Sequence, residues 1–270
     1  MQIGRRHFEI GTHTYVMGIL NVTPDSFSDG GHYDQMDAAL FHVEKMIHDG
    51  ADIIDVGGES TRPGYTRITE EEEIARVVPV IEQIRERFDI PVSVDTYKAK
   101  VAQAAIDAGV DLINDIWGLQ GDDKMAALVA KSKLPCCLMH NRKEPVYHDY
   151  ISDVLADCEK TLEIAKEAGI DREKILLDPG IGFAKTYEQN LMLLNNLEIL
   201  HSLGCPILLG TSRKSVIGLT LDVPANERVI GTVATTVMGV MKGCSFVRVH
   251  DVKENAEAIK MTEAVLHAKI

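Results

Sequence analysis

Along the chain, short apolar runs alternate with longer amphipathic stretches, and the alternation continues from the first turns to the last. The runs occupy residues 16–20, 53–56, 92–94, 112–113, 136–139, 175–177, 207–209 and 246–249. Their shortness and largely continuous apolarity predict strands covered on both faces, as in a parallel sheet. Between them the spacing changes to that of helices. Ile74, Val77, Val78, Ile81 and Ile84 recur every three or four positions, behind Thr69 and Glu72 in capping-box spacing. Val101, Ala104, Ala105 and Ala108 repeat the pattern, as do Leu193, Leu194, Leu197, Leu200 and Leu203. Gly50, Gly109, Gly169, Gly204 and Gly243 each stand shortly before the next apolar run, where a helix would end in a left-handed residue.

Eight strand–helix units can close into a barrel or lie open as a doubly wound sheet. No Gly-x-Gly-x-x-Gly follows the first run, which favours an α/β (β/α)₈ TIM barrel. The 270 residues match the roughly 250 of such a barrel, and no Pro/Ser-rich linker divides them, so a single domain over 1–270 is expected. Ahead of the first run, residues 8–15 are expected to form a short N-terminal β-hairpin over the barrel floor.

Charge narrows the partners. A formal net charge of −13 without a segregated basic run argues against nucleic acid. No apolar run approaches the ~20 residues of a membrane span, and the first residues lack a signal-peptide core, so a cytoplasmic location is expected. Cys136, Cys137, Cys158, Cys205 and Cys244 are odd in number and lack CxxC spacing, which predicts buried free thiols rather than disulfides or a zinc site.

The residues closing each apolar run carry the candidate chemistry, because barrel active sites are built at the C-terminal ends of the strands. In order they are Asn21; Asp55 with Glu59; Asp95; Asn114 with Asp115; Met139 and His140; Asp178; the run Thr211-Ser212-Arg213-Lys214-Ser215; and Arg248 with His250. Arg248 and His250, two apart on one strand, share a face. Asp95, Asn114 and Asp178 would make an acceptor-rich edge, with Lys214 opposite as donor and cation. Such a set suits a flat heterocycle bearing amino and ring N–H groups better than an aliphatic sugar phosphate. Segments 23–31 and 57–64 are glycine-containing loops of the kind that become lids. A helix starting at Ser215 would offer N–H groups to an anion. Taken singly, Asp95 and Asp178 are equally strand-end caps, and His250 equally a satisfied histidine. Asp55, Glu59 and Asp115 rank behind them as groups that orient neighbours, and Glu70 to Glu73 are expected to be a solvated first helical turn.

Read together, seven segments resemble the dihydropteroate synthases, the sulfonamide-target enzymes of folate synthesis. They are GILNVTPDSFSDGG from Gly18, DVGGESTRPG from Asp55, VDT from Val94, IND from Ile113, DPGIGF from Asp178, TSRKS from Thr211 and RVHDV from Arg248. The first two are long and specific, while the shorter ones alone are weak. Residues 140–144 look like a variant of the corresponding family loop.

The resemblance implies transfer of the dihydropterin-6-ylmethyl group from 6-hydroxymethyl-7,8-dihydropterin pyrophosphate to p-aminobenzoate, by a dissociative, S_N1-like route. It places Asp95, Asn114, Met139, Asp178, Phe183, Gly210 and Lys214 at the pterin, and Asn21, Thr61, Arg248 and His250 at the pyrophosphate, with Mg²⁺ near Asn21. Phe27, Arg62, Pro63, Lys214 and Ser215 fall at p-aminobenzoate; Asp95, Lys214, Arg248 and His250 are expected to carry catalysis. A homodimer is implied as well. The rivals are a corrinoid-type pterin methyltransferase sharing Asp95, Asn114 and Asp178, a Schiff-base aldolase using Lys214, and a non-catalytic pterin-binding protein.

Overall fold

The computed structural model describes residues 1–23, 32–60 and 67–268, with backbone alone at 32–34. The strands are β1 (Gln2–Ile3), β2 (Arg6–His7), β3 (Tyr15–Asn21), β4 (Ile53–Gly57), β5 (Val92–Asp95), β6 (Leu112–Asp115), β7 (Cys136–Met139), β8 (Ile175–Asp178), β9 (Leu208–Leu209) and β10 (Phe246–Val249). The helices are α1 (His32–His48), α2 (Glu70–Arg87), α3 (Ala99–Asp107), α4 (Met125–Ser132), α5 (Tyr150–Ala168), α6 (Tyr187–Asn195), α7 (Ser215–Leu221), α8 (Val229–Met241) and α9 (Val252–Leu266). Each of the eight apolar runs is a strand.

Strands β3 to β10 are parallel, in the order β8-β7-β6-β5-β4-β3-β10-β9. A parallel bridge from Leu177 to Ile207 joins the two ends, bringing the sheet round into a TIM barrel. The register explains the apolarity of the runs. Leu20, Val56, Val94, Ile113, Cys136 and Ile175 are successive partners across the sheet, and all pack outward with the helices. The alternate positions face the barrel axis, and at its lower end Met17, Ile53, Leu112, Cys137, Leu176, Leu208 and Phe246 form a separate apolar cluster.

Ile3 and Phe8 complete that cluster and close the floor. Burial of a side chain of this size contributes about 1.5–3 kcal/mol. The N-terminal hairpin therefore exists, but as β1 against β2, not over residues 8–15. Gly4, at φ +57°, makes the tight turn, and the Phe8 ring drops edge-on against Tyr15 with centroids 4.8 Å apart. Residues 9–14 form a turn without strand pairing.

Helix ends follow the sequence, with exceptions. All five helix-ending glycines have positive φ. Thr69 caps α2 by accepting from the Glu72 amide, but the Glu72 carboxylate pairs with Arg76, so the reciprocal half of the expected box is replaced. A complete capping box forms instead at Thr186 and Gln189, ahead of α6. The leucine-rich stretch after it breaks at Asn196, continuing as a 3₁₀ turn over Leu197–Leu203. All five cysteines are free and buried.

Candidate active site

The upper end of the barrel axis is polar because the inward positions change character there. Asn21, Gly57, Asp95 and Asn114 are consecutive partners across β3, β4, β5 and β6. Gly57 puts no side chain between its neighbours: a methyl group there would lie 3.7 Å from Asn21 Oδ1 and 3.7 Å from Asp95 Oδ2. Arg248 enters from β10 and bridges two carboxylates, with Nε donating to Asp55 Oδ2 at 2.6 Å and Nη2 to Asp95 Oδ2 at 2.5 Å. Asn114 Nδ2 also donates to Asp55 Oδ2, at 3.1 Å. Asp95 Oδ1 and Asp55 Oδ1 are buried acceptors without a hydrogen-bond partner among the described residues. Burial pushes Asp95 up to about 7, against the pull of Arg248 and with added repulsion from Asp55.

The other half of the site gathers round Gly210. A methyl group on Gly210 would lie 3.4 Å from Asp178 Oδ2, 3.7 Å from Lys214 Nζ and 4.0 Å from Arg248 Cβ. Residues far apart in the chain thus meet at one place on the barrel mouth. Burial lowers the Lys214 ammonium to about 8, although Asp178 opposes the shift. Burial likewise raises Asp178, against the attraction of Lys214. Lys214 Nζ donates to the Ile181 carbonyl at 2.5 Å and lies 4.8 Å from the centre of the Phe183 ring. Met139 packs with Tyr97 and Ile116, and Phe183 and Trp117 lean on this cluster. A flat ligand would therefore meet an apolar wall beside a polar edge. Trp117 and Ile116 escaped the sequence analysis; the position of the single tryptophan, two residues after a strand end, was the available signal.

A second anchor lies beside Arg248. The His250 amide donates to Ser212 Oγ at 3.1 Å, and the same hydroxyl lies 3.0 Å from His250 Nδ1. Arg213, held at φ +57°, makes a two-pronged ion pair with Asp251, tying the loop after β9 to the end of β10. Helix α7 starts at Ser215, as its sequence suggested.

Several secondary expectations change. Asp55, ranked behind the others, is fully buried and holds both Arg248 and Asn114. Glu73 is not solvated: it is 1% exposed and pairs with Lys98 at 2.7 Å, because its helical face turns inward. Glu59 accepts from Lys98, Tyr97 and the Ile68 amide, and Asp115 accepts from the Trp117 and Leu119 amides; both orient backbone. In the variant loop, His140 contacts Asp157 and Lys185, and Arg142 lies over the Tyr147 ring. Lys185 went unnoticed in the sequence. Phe27, Thr61, Arg62 and Pro63 lie outside the described residues. No group of three His, Cys, Asp or Glu side chains among the described residues is arranged to hold a metal.

Comparison with known proteins gives the family. The family model of pterin binding enzymes matches residues 17–250. A dihydropteroate synthase of Clostridium beijerinckii is 62% identical over 98% of this chain and 99% of its own length. A crystal structure of dihydropteroate synthase from Clostridium difficile, obtained in the presence of pteroic acid, superimposes with a TM-score of 0.94 at 49% identity, covering 97% of this chain and 100% of that one. A Xanthomonas albilineans dihydropteroate synthase with 4-aminobenzoic acid gives a TM-score of 0.92 at 41% identity, over 96% and 95% of the two chains. The chain belongs to the family of pterin binding enzymes, among the dihydropteroate synthases.

Proposed function

We infer that this chain is a transferase of folate biosynthesis that joins 6-hydroxymethyl-7,8-dihydropterin pyrophosphate to p-aminobenzoate, releasing pyrophosphate and 7,8-dihydropteroate. Relatives near 60% identity over nearly the whole chain carry that name, and Asp178, Lys214 and Arg248 meet round Gly210. That convergence is the observation that carries the reading. The polar edge of Asp95, Asn114 and Asp178 takes the amino and ring N–H groups of the pterin, Lys214 takes an acceptor of the ring, and Met139 and Phe183 cover its faces beside Gly210.

The bond that breaks joins the exocyclic methylene to the pyrophosphate oxygen, and both electrons leave with the pyrophosphate. Positive charge then spreads from the methylene into the pterin ring. Asp95 faces that charge, while Arg248 and His250 hold the leaving anion. Preorganised charges at separating centres are commonly the largest catalytic term, with about 3–4 kcal/mol lost when one is removed. The aryl amine attacks the methylene and gives up a proton, completing the transfer. The Ser212 hydroxyl accepts from the His250 amide and lies 3.0 Å from Nδ1, which holds the imidazole at the rim with Nε2 left for the anion.

Magnesium fits this rim. The Asn21 amide oxygen stands beside the Asp95 carboxylate across Gly57, and Mg²⁺ takes oxygen ligands, binding through few protein oxygens together with substrate phosphates and water. Bound there, the ion would neutralise phosphate charge. Thr61 as a further pyrophosphate residue, and Phe27, Arg62, Pro63 and Ser215 at p-aminobenzoate, rest on the family resemblance, as does competition by sulfonamides at the p-aminobenzoate position.

One domain spanning 1–270 and a homodimer complete the proposal. Helix α8 has no ionisable residue, yet Ile230 and Met241 are exposed, and Met261, Val265 and Leu266 are exposed on the neighbouring α9. An apolar surface of this kind favours a second copy. No helix of the described residues is long and apolar enough to cross a membrane, and the five thiols are unpaired, which supports a cytoplasmic setting.

The test is incubation with the dihydropterin pyrophosphate, p-aminobenzoate and Mg²⁺, following pyrophosphate and dihydropteroate. Tight pterin binding without pyrophosphate release would favour a binding protein instead. Borohydride trapping of substrate on Lys214 would favour the aldolase.

A further inference from the structure

The turn carrying Asp178 and Phe183 is built against local preference. Gly180 and Gly182 have φ of +68° and +83°, and Ala184, which carries a side chain, has φ +42°. A methyl group on Gly180 would lie 2.0 Å from the His140 carbonyl oxygen, so two backbones touch there. The turn leaves several carbonyls directed at protein, and two lysines collect them. Lys214 takes the Ile181 carbonyl, and Lys185 takes those of Gly180 at 2.9 Å and Phe183 at 3.0 Å.

The third contact of Lys185 is His140 Nδ1, at 2.9 Å. An ammonium has three donors and no acceptor, so His140 Nδ1 accepts and its remaining hydrogen sits on Nε2. Nε2 then donates to Asp157 Oδ2 at 3.0 Å, and Arg142 Nε donates to the same oxygen at 2.5 Å. The chain of contacts runs from a carboxylate on α5, through an imidazole after β7, to an ammonium whose other two hydrogens hold the turn. None of these groups belongs to the substrate contacts assigned above.

We propose that Lys185 is a positioning residue for the pterin: its ammonium, oriented by His140 and Asp157, holds the 178–183 turn in the shape that presents Asp178 and Phe183 to the ring. The proposal rests on the pterin-transfer reading of the site. The charged and titratable groups facing Lys185 are His140 and Arg142 from the loop after β7, Asp157 and Cys158 from α5, Asp178 from β8 and Lys214 from beyond β9. Burial lowers the ammonium to about 7, against the pull of Asp178 and Asp157. A neutral amine has only two hydrogens for three acceptors, so the hold on the turn weakens as the pH rises through that value.

The experiment measures binding and turnover of 6-hydroxymethyl-7,8-dihydropterin pyrophosphate from about pH 6 to about pH 9, where a lysine with an ordinary pKa near 10.4 stays charged. Lys185→Met leaves buried carbonyls without a donor; about 1–3 kcal/mol, or roughly 5- to 150-fold, is expected in Kd and KM at the acid end, with a much smaller change in kcat. Its KM for p-aminobenzoate stays near that of the wild type, and the part of the alkaline loss of pterin affinity due to Lys185 disappears. Asp157→Asn keeps an acceptor for His140 but withdraws the charge, and moves the wild-type loss of affinity to lower pH. This variant decides the matter if Lys185→Met does not fold. Folded Lys185→Met with wild-type pterin affinity, or Asp157→Asn with an unchanged pH profile, would overturn the proposal. A wild-type protein that neither binds nor turns over the pterin would overturn the functional reading instead.

Discussion

Arg248 on β10 and Asp95 on β5 meet across the barrel mouth, Nη2 to Oδ2 at 2.5 Å, although 153 residues separate them. Because Arg248 also holds Asp55, one guanidinium serves two carboxylates, and its planar fork is what allows the double contact. On the proposed reading of the site, the pair would place a cation for the departing pyrophosphate directly beside an anion for the pterin ring.

Removing that cation strands two buried carboxylates. Arg248→Met is expected to lower kcat by about 100- to 1,000-fold, in line with the loss of a preorganised charge. It should also lower stability, since breaking a buried pair costs about 3–5 kcal/mol. Arg248→Lys keeps the charge but cannot span both partners, so it should recover stability better than turnover. Steady-state kinetics and thermal unfolding check both; unchanged kcat in Arg248→Met would remove it from the reaction.

The pH profile follows from three buried groups. Asp95, raised to about 7, must be ionised to face the cationic ring, so kcat/KM rises as the pH passes that value. Lys185 and Lys214, lowered to about 7 and about 8, must stay protonated, so kcat/KM falls again above them. A narrow bell with its maximum close to neutrality is expected. Asp95→Asn should flatten the acid limb and lower kcat; an unaltered acid limb would assign it to another group.

Gly180→Ala combines a left-handed φ with a methyl group driven into the His140 carbonyl. The backbone conformation alone costs about 1–2 kcal/mol in an L-residue. Denaturant unfolding should show a larger loss than that, and calorimetry should show weakened pterin binding. A variant of wild-type stability would mean that the turn relaxes freely.

If Mg²⁺ acts at the pyrophosphate end as proposed, its withdrawal separates the two ends of the substrate. Chelation with EDTA should abolish turnover of the pyrophosphate ester while leaving the affinity for 6-hydroxymethylpterin, which has no phosphate, unchanged. Equal loss of both would place the metal at the pterin ring instead of near Asn21.

Much of the site was legible because strand ends in a barrel converge by topology. Asn21, Asp95, Asn114, Asp178, Lys214 and His250 were marked by their place after an apolar run, and Arg248, inside its run, by sharing a face with His250. Asp55 was undervalued because it lies inside its run, where sequence gives no sign of whether an acid is paired. Lys185 was missed for a different reason: it sits seven residues beyond a strand end, after a glycine-rich turn, where a lysine is ordinarily solvated. The hairpin was misplaced because residues 2–7 carry too little alternation to compete with the aromatic stretch after them.

By itself the sequence determined the eight strands, the helix-ending glycines and the rim on which chemistry would sit, since these follow from local periodicity and backbone preference. Only the tertiary structure decided which polar groups pair: Arg248 with Asp55 and Asp95, Lys185 with His140, Glu73 with Lys98. The reason is physical. Periodicity acts over a few residues of chain, whereas the strength of an ion pair and the protonation of its members depend on burial and on neighbours that the closing barrel brings together.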